Sequence, residues 1–469
     1  MKILPLIAVA TVASTVFAAP PTASIIVNAT AIDPGSGKVI PNAAIRIEGD
    51  HIAAIIENTA DFHRDGEKVI DAKGKFVLPG YIDTHVHFFQ SGGLFTRPDA
   101  VDLNNVRPYK DEVALIKKNL PDTFKRYLRC GITSVLDIGG PIWNFEMRKI
   151  ANQTAAAPRV AAAGPLISSV SRPQLDLGDP PIVKIDTPEQ GREMVQKLAG
   201  QKPDYIKIWY IVNAENPVEK FRPVVHAVVE ESHRLKLRVA VHATELEAAR
   251  ASVEEGADLL VHSVTDKPVD EAFVKLLKDK GTILTPTLVV FERYGRTFAN
   301  KLELTPEEKA WGNPEIIASL DVTKIPEDKR PDRLKKAMEN SEQVLDGIQK
   351  TYDVALKNLK TLEDDSVTIA TGTDAGNIGT IHGPAIFREF QLMKQAGLTP
   401  MQILQCTTAN AAKTLGGETG AKIGALKPGN FADLVILKSN PLDNIKNASD
   451  IDAVVKNGMV FQADTILPK

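Results

Sequence analysis

Cysteine is almost absent from this chain: 469 residues hold only Cys130 and Cys406. Neither stands in the close pairs that a zinc knuckle or a dithiol redox motif requires, which excludes both chemistries. The two sit in segments that read as regular, and the expectation is a pair of buried free thiols. A surplus of one charge sign is also missing, with 56 Lys and Arg against 59 Asp and Glu. Aromatic residues make up 6% of the chain. There is thus no basic field to release counterions from a polyanion, and nucleic acid is excluded as a partner. Beyond Phe17 no apolar run approaches the ~20 residues of a spanning helix. The 31 Gly and 30 Pro are scattered and not clustered, which argues against low-complexity disorder.

What is present begins with an N-terminal address. Met1-Lys2 precedes a mostly apolar run from Ile3 to Phe17, and Val16-Phe17-Ala18 followed by Ala19-Pro20 supplies the small residues of a signal-peptidase site. Residues 1–19 are read as a cleaved signal peptide. The mature protein is expected to be periplasmic or secreted, with no membrane attachment once the signal is removed.

At ~150 residues per domain, the length suits one large α/β barrel with satellites or two to three ordinary domains. Residues 20–78 read as short strands with turn chemistry between them, such as Ser24 to Val27, Ala44 to Ile47 and His51 to Ile56. Residues 419–469 hold a matching set, Phe431 to Leu437 and Ala453 to Val460. The two ends are expected to pair into one small β-sandwich domain. Between them, residues 79–418 alternate apolar runs with helical patterns. The runs are Tyr81 to Phe88, Ile132 to Ile138, Val160 to Leu166, Tyr205 to Tyr210, Leu237 to Ala243, Leu259 to His262, Ile283 to Val289 and Val367 to Thr371. Eight such units predict an α/β fold of the (β/α)8 TIM-barrel type, with chemistry at the strand C-termini; an open doubly wound sheet is the alternative. Residues 291–365 interrupt the repeat and are expected over the catalytic face, as a lid or an oligomer contact.

The chemistry is concentrated in a few positions. In Asp83-Thr84-His85-Val86-His87, strand alternation points His85 and His87 to one face, where both can reach a cation. Lys207 lies inside the apolar run Tyr205-Ile206-Lys207-Ile208-Trp209. An unpaired ammonium there costs several kcal/mol, so the lysine must be paired, exposed or chemically altered. A neutral amine can add carbon dioxide and become an anionic carbamate that bridges two cations. His242 and His262 each end an apolar strand, and either alone can be a satisfied core histidine. Asp374, in Thr373-Asp374-Ala375-Gly376, can bind metal or cap a helix. Barrel closure would gather all six around one mouth.

Together these residues resemble the amidohydrolase superfamily over nearly the whole mature chain. The matching stretches are Pro79-Gly80-Tyr81-Ile82-Asp83-Thr84-His85-Val86-His87, Gly372-Thr373-Asp374-Ala375 with His382-Gly383, and Leu426-Lys427-Pro428-Gly429-Asn430-Phe431-Ala432-Asp433-Leu434. The prolidase-like and imidazolonepropionase-related subgroup is the most similar. The resemblance implies that His85, His87 and Asp374 bind one divalent metal ion and His242 and His262 a second, with carboxylated Lys207 bridging. Zinc is expected, and manganese or cobalt suits the same ligands. A metal-bridged hydroxide would attack the amide of a dipeptide, Xaa-Pro or N-acyl amino acid, with Asp374 as general base and then acid. Tyr210 and His382 are candidates for contacting the substrate, a small molecule, and homo-oligomerisation is expected. One departure is Glu245 in His242-Ala243-Thr244-Glu245, an H-x-x-E arrangement that resembles mononuclear deaminases and keeps deamination or cyclic-amide opening as the alternative. A metal-free scaffold or binding protein is the third reading.

Overall fold

Apolar and polar residues alternate near both ends of the chain, and both sets of strands join one sheet. The computed structural model describes residues 23–57 and 66–468, so the expected signal peptide at 1–19 lies outside it. The sheet has eight strands. Met459–Gln462, Ile451–Lys456 and Leu434–Leu437 from the C-terminal end lie beside Phe76–Pro79, Ala23–Asp33, Lys38–Glu48 and His51–Ile56, and Lys68–Asp71 also pairs with Ala23–Asp33. The join is antiparallel, Leu434 opposite Pro79 and Leu437 opposite Phe76. One face buries Ile26, Ile45, Ile47, Val77, Leu434 and Val455 together, which is why a single register is selected.

This sheet is tied to the rest of the molecule by a buried carboxylate. Asp433 accepts from Lys456 Nζ at 3.2 Å to each oxygen, from Arg159 Nε at 2.8 Å and from the Asn457 N–H at 2.8 Å. Burial pushes this carboxyl upward, but Lys456 and Arg159 outweigh it and hold the pKa below the ordinary range.

The remaining strands are parallel, separated by helices, and make an α/β fold. Tyr81–Val86, Ile132–Asp137 and Arg159–Ala162 form one group, and Ile182–Lys184, Leu166–Ser168, Tyr205–Trp209, Arg238–His242, Leu259–Val261 and Ile283–Thr285 form the other. The expected run from Val160 to Leu166 is divided into two strands. The break holds Gly164 at φ 75, where a Cβ would come within 2.7 Å of the Phe145 ring.

Two more of the expected strands differ from the structure. The run from Ile283 to Val289 ends as a strand at Thr285, and Leu288–Phe298 is a helix. Thr287 turns the chain at φ 46, and Glu389 accepts the Leu288 and Val289 N–H groups at 2.9 and 2.8 Å, satisfying two donors that open the helix. Residues 367–371 make an isolated bridge, Ile369 to Leu284, in place of a regular strand. The Thr371 N–H is taken by the Cys406 carbonyl, which interrupts the ladder. Backbone bonds still join this segment to both neighbours, from Leu284 N–H to the Thr368 carbonyl and from Thr84 N–H to the Thr371 carbonyl.

Glu389 also offers a test of how the inserted helix is held. Burial pushes its pKa from 4.5 up to about 8. Across that window the folded chain keeps a proton that the unfolded chain releases, so stability falls as pH rises. Glu389→Gln is expected to flatten this slope in urea unfolding followed from about pH 5 to pH 8. An unchanged slope would mean that Glu389 is ionised throughout.

Beyond that helix, residues 299–365 carry the helices Pro306–Trp311, Pro314–Ser319, Asp332–Glu339 and Ser341–Asp364. Phe298, Ile316, Leu320, Val322 and Leu334 share an apolar cluster with Leu94, Leu103, Ile378 and Ile381. The insertion therefore packs on the loops that follow the first strand of the α/β unit and the bridge segment 367–371. Cys130 and Cys406 are both buried and free. No helix among the described residues is long and apolar enough to cross a membrane.

Candidate metal centre

The first strand delivers His85 and His87 as its alternation predicts. Their Nε2 atoms lie 3.2 Å apart, and Asp374 Oδ1 lies 3.2 Å from the first and 3.1 Å from the second. His87 Nδ1 donates to the Gly139 carbonyl at 2.7 Å, so its Nε2 carries the lone pair. Asp374 reaches this strand because Gly372 lacks a side chain: a Cβ there would fall 2.4 Å from Thr285 Cγ2 and 2.8 Å from His85 Cβ. The Asp374 N–H then donates to the His85 carbonyl at 2.7 Å.

His262 comes from the other side. Its Nδ1 pairs with Thr287 Oγ1 at 2.5 Å, which leaves Nε2 toward the cluster. His85, His262 and Asp374 each place one ligand atom within 4.8 Å of the others. The His242 ring stands 4.4 Å from that of His262, edge to face. His262 and Asp374 adopt φ of 78 and 59, a region that costs a non-glycine residue about 1–3 kcal/mol and persists where surrounding structure enforces it.

Lys207 completes the cluster, and its state is the most informative. The side chain is 1% exposed, and Nζ has no hydrogen-bond partner among the described residues. Burial pushes its pKa down to about 7. His85 is pushed down to about 4 by burial, and His242 and His262 fall well below the usual range for the same cause. Burial acts upward on Asp374, but His85 and His87 more than offset it and hold the carboxyl well below its ordinary value. Neutral imidazoles, an ionised carboxylate and a deprotonatable amine around one space are the donor set a divalent cation needs. Asp374 Oδ1 is itself short of a well-oriented donor. The residues present therefore fit metal.

All six expected ligands line one cavity of about 370 Å³, together with Phe89, Arg97, Trp209, Phe291, Tyr294 and Asn377. The other two expected site residues are placed elsewhere. Tyr210 is fully buried, its hydroxyl donates to the Val218 carbonyl and its ring packs on Phe221 at 5.4 Å. His382 has both ring nitrogens engaged, Nε2 donating to the Gln90 carbonyl at 2.8 Å and Nδ1 accepting from the Tyr127 hydroxyl at 2.7 Å. It stacks on Phe88 and, through Gln90, braces the segment after His87. Glu245 stands immediately before helix Leu246–Glu254 without a side-chain capping bond, is not among the cavity-lining residues, and has its pKa raised by burial.

Arg97, Tyr294 and Asn377 were missed by the sequence reading. Arg97 belongs to the loop after the first strand and Tyr294 to the inserted helix. Arg97 stands in the mixed stretch Thr96-Arg97-Pro98-Asp99, where nothing local sets it apart.

The model of the amidohydrolase family matches residues 76–460. The chain belongs to the amidohydrolase family. It is accordingly a hydrolase acting on carbon–nitrogen bonds, with a small-molecule substrate. Among relatives, the ochratoxinase of Aspergillus niger is 24% identical, the match covering 94% of this chain and 88% of that one. The 5'-deoxyadenosine deaminase of Methanosarcina acetivorans is 26% identical over 87% of this chain and 82% of its own. Among solved structures, a Xaa-Pro dipeptidase with methionine bound in its active site superposes with a TM-score of 0.70 at 23% identity, covering 94% of this chain and 100% of that one. At this identity the likeness concerns the fold.

Proposed function

We propose that this amidohydrolase cleaves the amide bond of a dipeptide, Xaa-Pro or N-acyl amino acid type of substrate, using two divalent metal ions, with zinc the first choice. His85, His87 and Asp374 would hold one ion and His242 and His262 the other, with carboxylated Lys207 between them. The observation that carries this reading is the Lys207 amine, buried amid imidazoles and a carboxylate with no hydrogen-bond partner among the described residues. Bound there, the cations would acidify water and polarise the scissile carbonyl. Asp374 Oδ1 takes the proton of the attacking water and returns it to the leaving nitrogen. Asp374 suits both tasks, because its carboxyl is ionised at rest and faces the cavity. Trp209, Phe89 and Phe291 give the cavity an apolar wall for the remainder of the substrate.

The fold reading that goes with this is a closed (β/α)8 barrel over 79–418. Residues 20–78 and 419–469 form the β-sandwich domain, and 291–365 is a lid. Export by a signal peptide at 1–19 and homo-oligomerisation belong to the same reading.

Glu245 is not among the residues that line the cavity, which favours hydrolysis over deamination. The test is a panel of dipeptides, N-acyl amino acids and aminated heterocycles, with free amino acid and free ammonia assayed in parallel. Amino-acid release without ammonia is the expected result. Ammonia from a heterocycle alone would replace this reading with the deaminase.

A further inference from the structure

The inserted helix Leu288–Phe298 stands between two cavities. Its Val290, Phe291 and Tyr294 line the metal centre. At 3.6 residues per turn, Glu292 and Arg296 fall on the opposite face of the helix. There they line a second cavity of about 220 Å³ together with Glu303 and Arg388. None of these four charged residues lines the metal centre.

The charges on this far side are unevenly paired. Glu292 is 3% exposed and takes a fork from Arg388, Nε at 2.9 Å and Nη2 at 3.1 Å. Arg296 Nε lies 3.3 Å from the same carboxylate but is poorly aligned, so this buried nitrogen has no hydrogen-bond partner among the described residues. The other guanidinium of the helix, Arg293, is neutralised by Glu308, with Nη2 at 2.8 and 3.0 Å from its two oxygens. Two guanidinium groups therefore share Glu292, and one positive charge is left unbalanced at the cavity wall. The opposite sign comes from Glu303, which is exposed and whose carboxylate makes no ion pair or hydrogen bond among the described residues. Its backbone is held in place, because the fully buried Arg293 donates from Nη1 to the Glu303 carbonyl at 3.1 Å.

A simple anion in this cavity is opposed by Glu303, and a simple cation by Arg296. A small molecule that carries both charges meets each wall with the complementary one, through hydrogen bonds between ionised groups, which are the strong ones. We infer that this cavity is a second ligand site that takes a free α-amino acid, its carboxylate on Arg296 and on the Arg388 Nη1 that the fork leaves unused, its ammonium on Glu303. On the amide-hydrolase reading such a molecule is what the reaction releases, but the binding itself does not depend on that reading. The ligand engages Arg388, whose neighbour Glu389 holds the first N–H groups of the helix that walls the metal centre.

The test is an NMR titration of the metal-loaded full chain with glycine, acetate and methylammonium at constant ionic strength. Glycine is expected to bind at least about 5-fold more tightly than either singly charged probe. Arg296→Gln and Glu303→Gln are each expected to weaken glycine by at least about 5-fold. Glu303→Gln should leave acetate unweakened, because it removes only the charge that opposes an anion. Both side chains reach the surface, so neither change disturbs the core. Glycine binding no tighter than acetate would overturn the inference. So would glycine binding undiminished in either variant, because the molecule would then sit on the cations or on an unrelated surface. If the panel above shows no amide hydrolysis while this pattern holds, the proposed reaction fails and the second site stands. The reverse pattern removes the second site alone.

Discussion

Lys207→Met is expected to move stability and activity in opposite directions. Methionine fills nearly the same volume without an amine, so the metal-free variant should unfold at equal or higher urea than the parent, since a buried unpaired charge is replaced by an apolar group. Its bound metal should fall by half or more and its kcat/KM by about 10³-fold or more. The parent's metal-free stability should also rise with pH between about 7 and 10.5, where the unfolded lysine keeps a proton that the folded one has lost. That slope should vanish in the variant. A structural lysine predicts the opposite pair of results, a destabilised protein with full metal and normal turnover. Metal analysis, urea unfolding and steady-state kinetics on one preparation separate the two.

Asp374→Asn carries the second large effect. Asparagine tolerates the left-handed backbone found here at φ 59 about as well as aspartate, so the variant should fold. It keeps an acceptor oxygen facing His85 and His87 but cannot take up a proton at neutral pH. Loss of general acid–base transfer alone predicts a drop of about 10²–10⁴ in kcat, and the weaker ligand field adds to it. The decisive comparison is kcat against KM at saturating metal. A fall confined to kcat supports proton transfer by Asp374. Recovery of kcat at high metal concentration would reduce Asp374 to a ligand.

How much of this was legible in the sequence follows from the range of each interaction. His85 and His87 could be paired because strand alternation is local and fixes their common face. Lys207 could be singled out because an ammonium inside Tyr205-Ile206-Lys207-Ile208-Trp209 conflicts with its neighbours. The meeting of both termini in one sheet was likewise readable from matched strand patterns. Tyr210 and His382 could not be placed. Tyr210 follows Trp209 by one position, so its side chain leaves the face that Trp209 presents to the cavity, and Phe221 receives it instead. His382 lies after the Gly-rich turn that follows Asp374, where chain direction depends on Gln90 and Tyr127 from distant segments. The apolar run Leu288-Val289-Val290 has no periodicity that tells a buried strand from a buried helix. Glu389, a hundred residues away, decides it. Arg97 and Tyr294 converge only through tertiary packing of the insertion on the first loop.

The binuclear centre built around Lys207 is the central claim, and a crystal structure of the metal-loaded protein with anomalous data at the metal edge tests it most directly. Two anomalous peaks are predicted, one against His85, His87 and Asp374 and one against His242 and His262, with density for a carboxylate continuing from Lys207 Nζ between them. A single peak beside a bare Lys207 amine would contradict it.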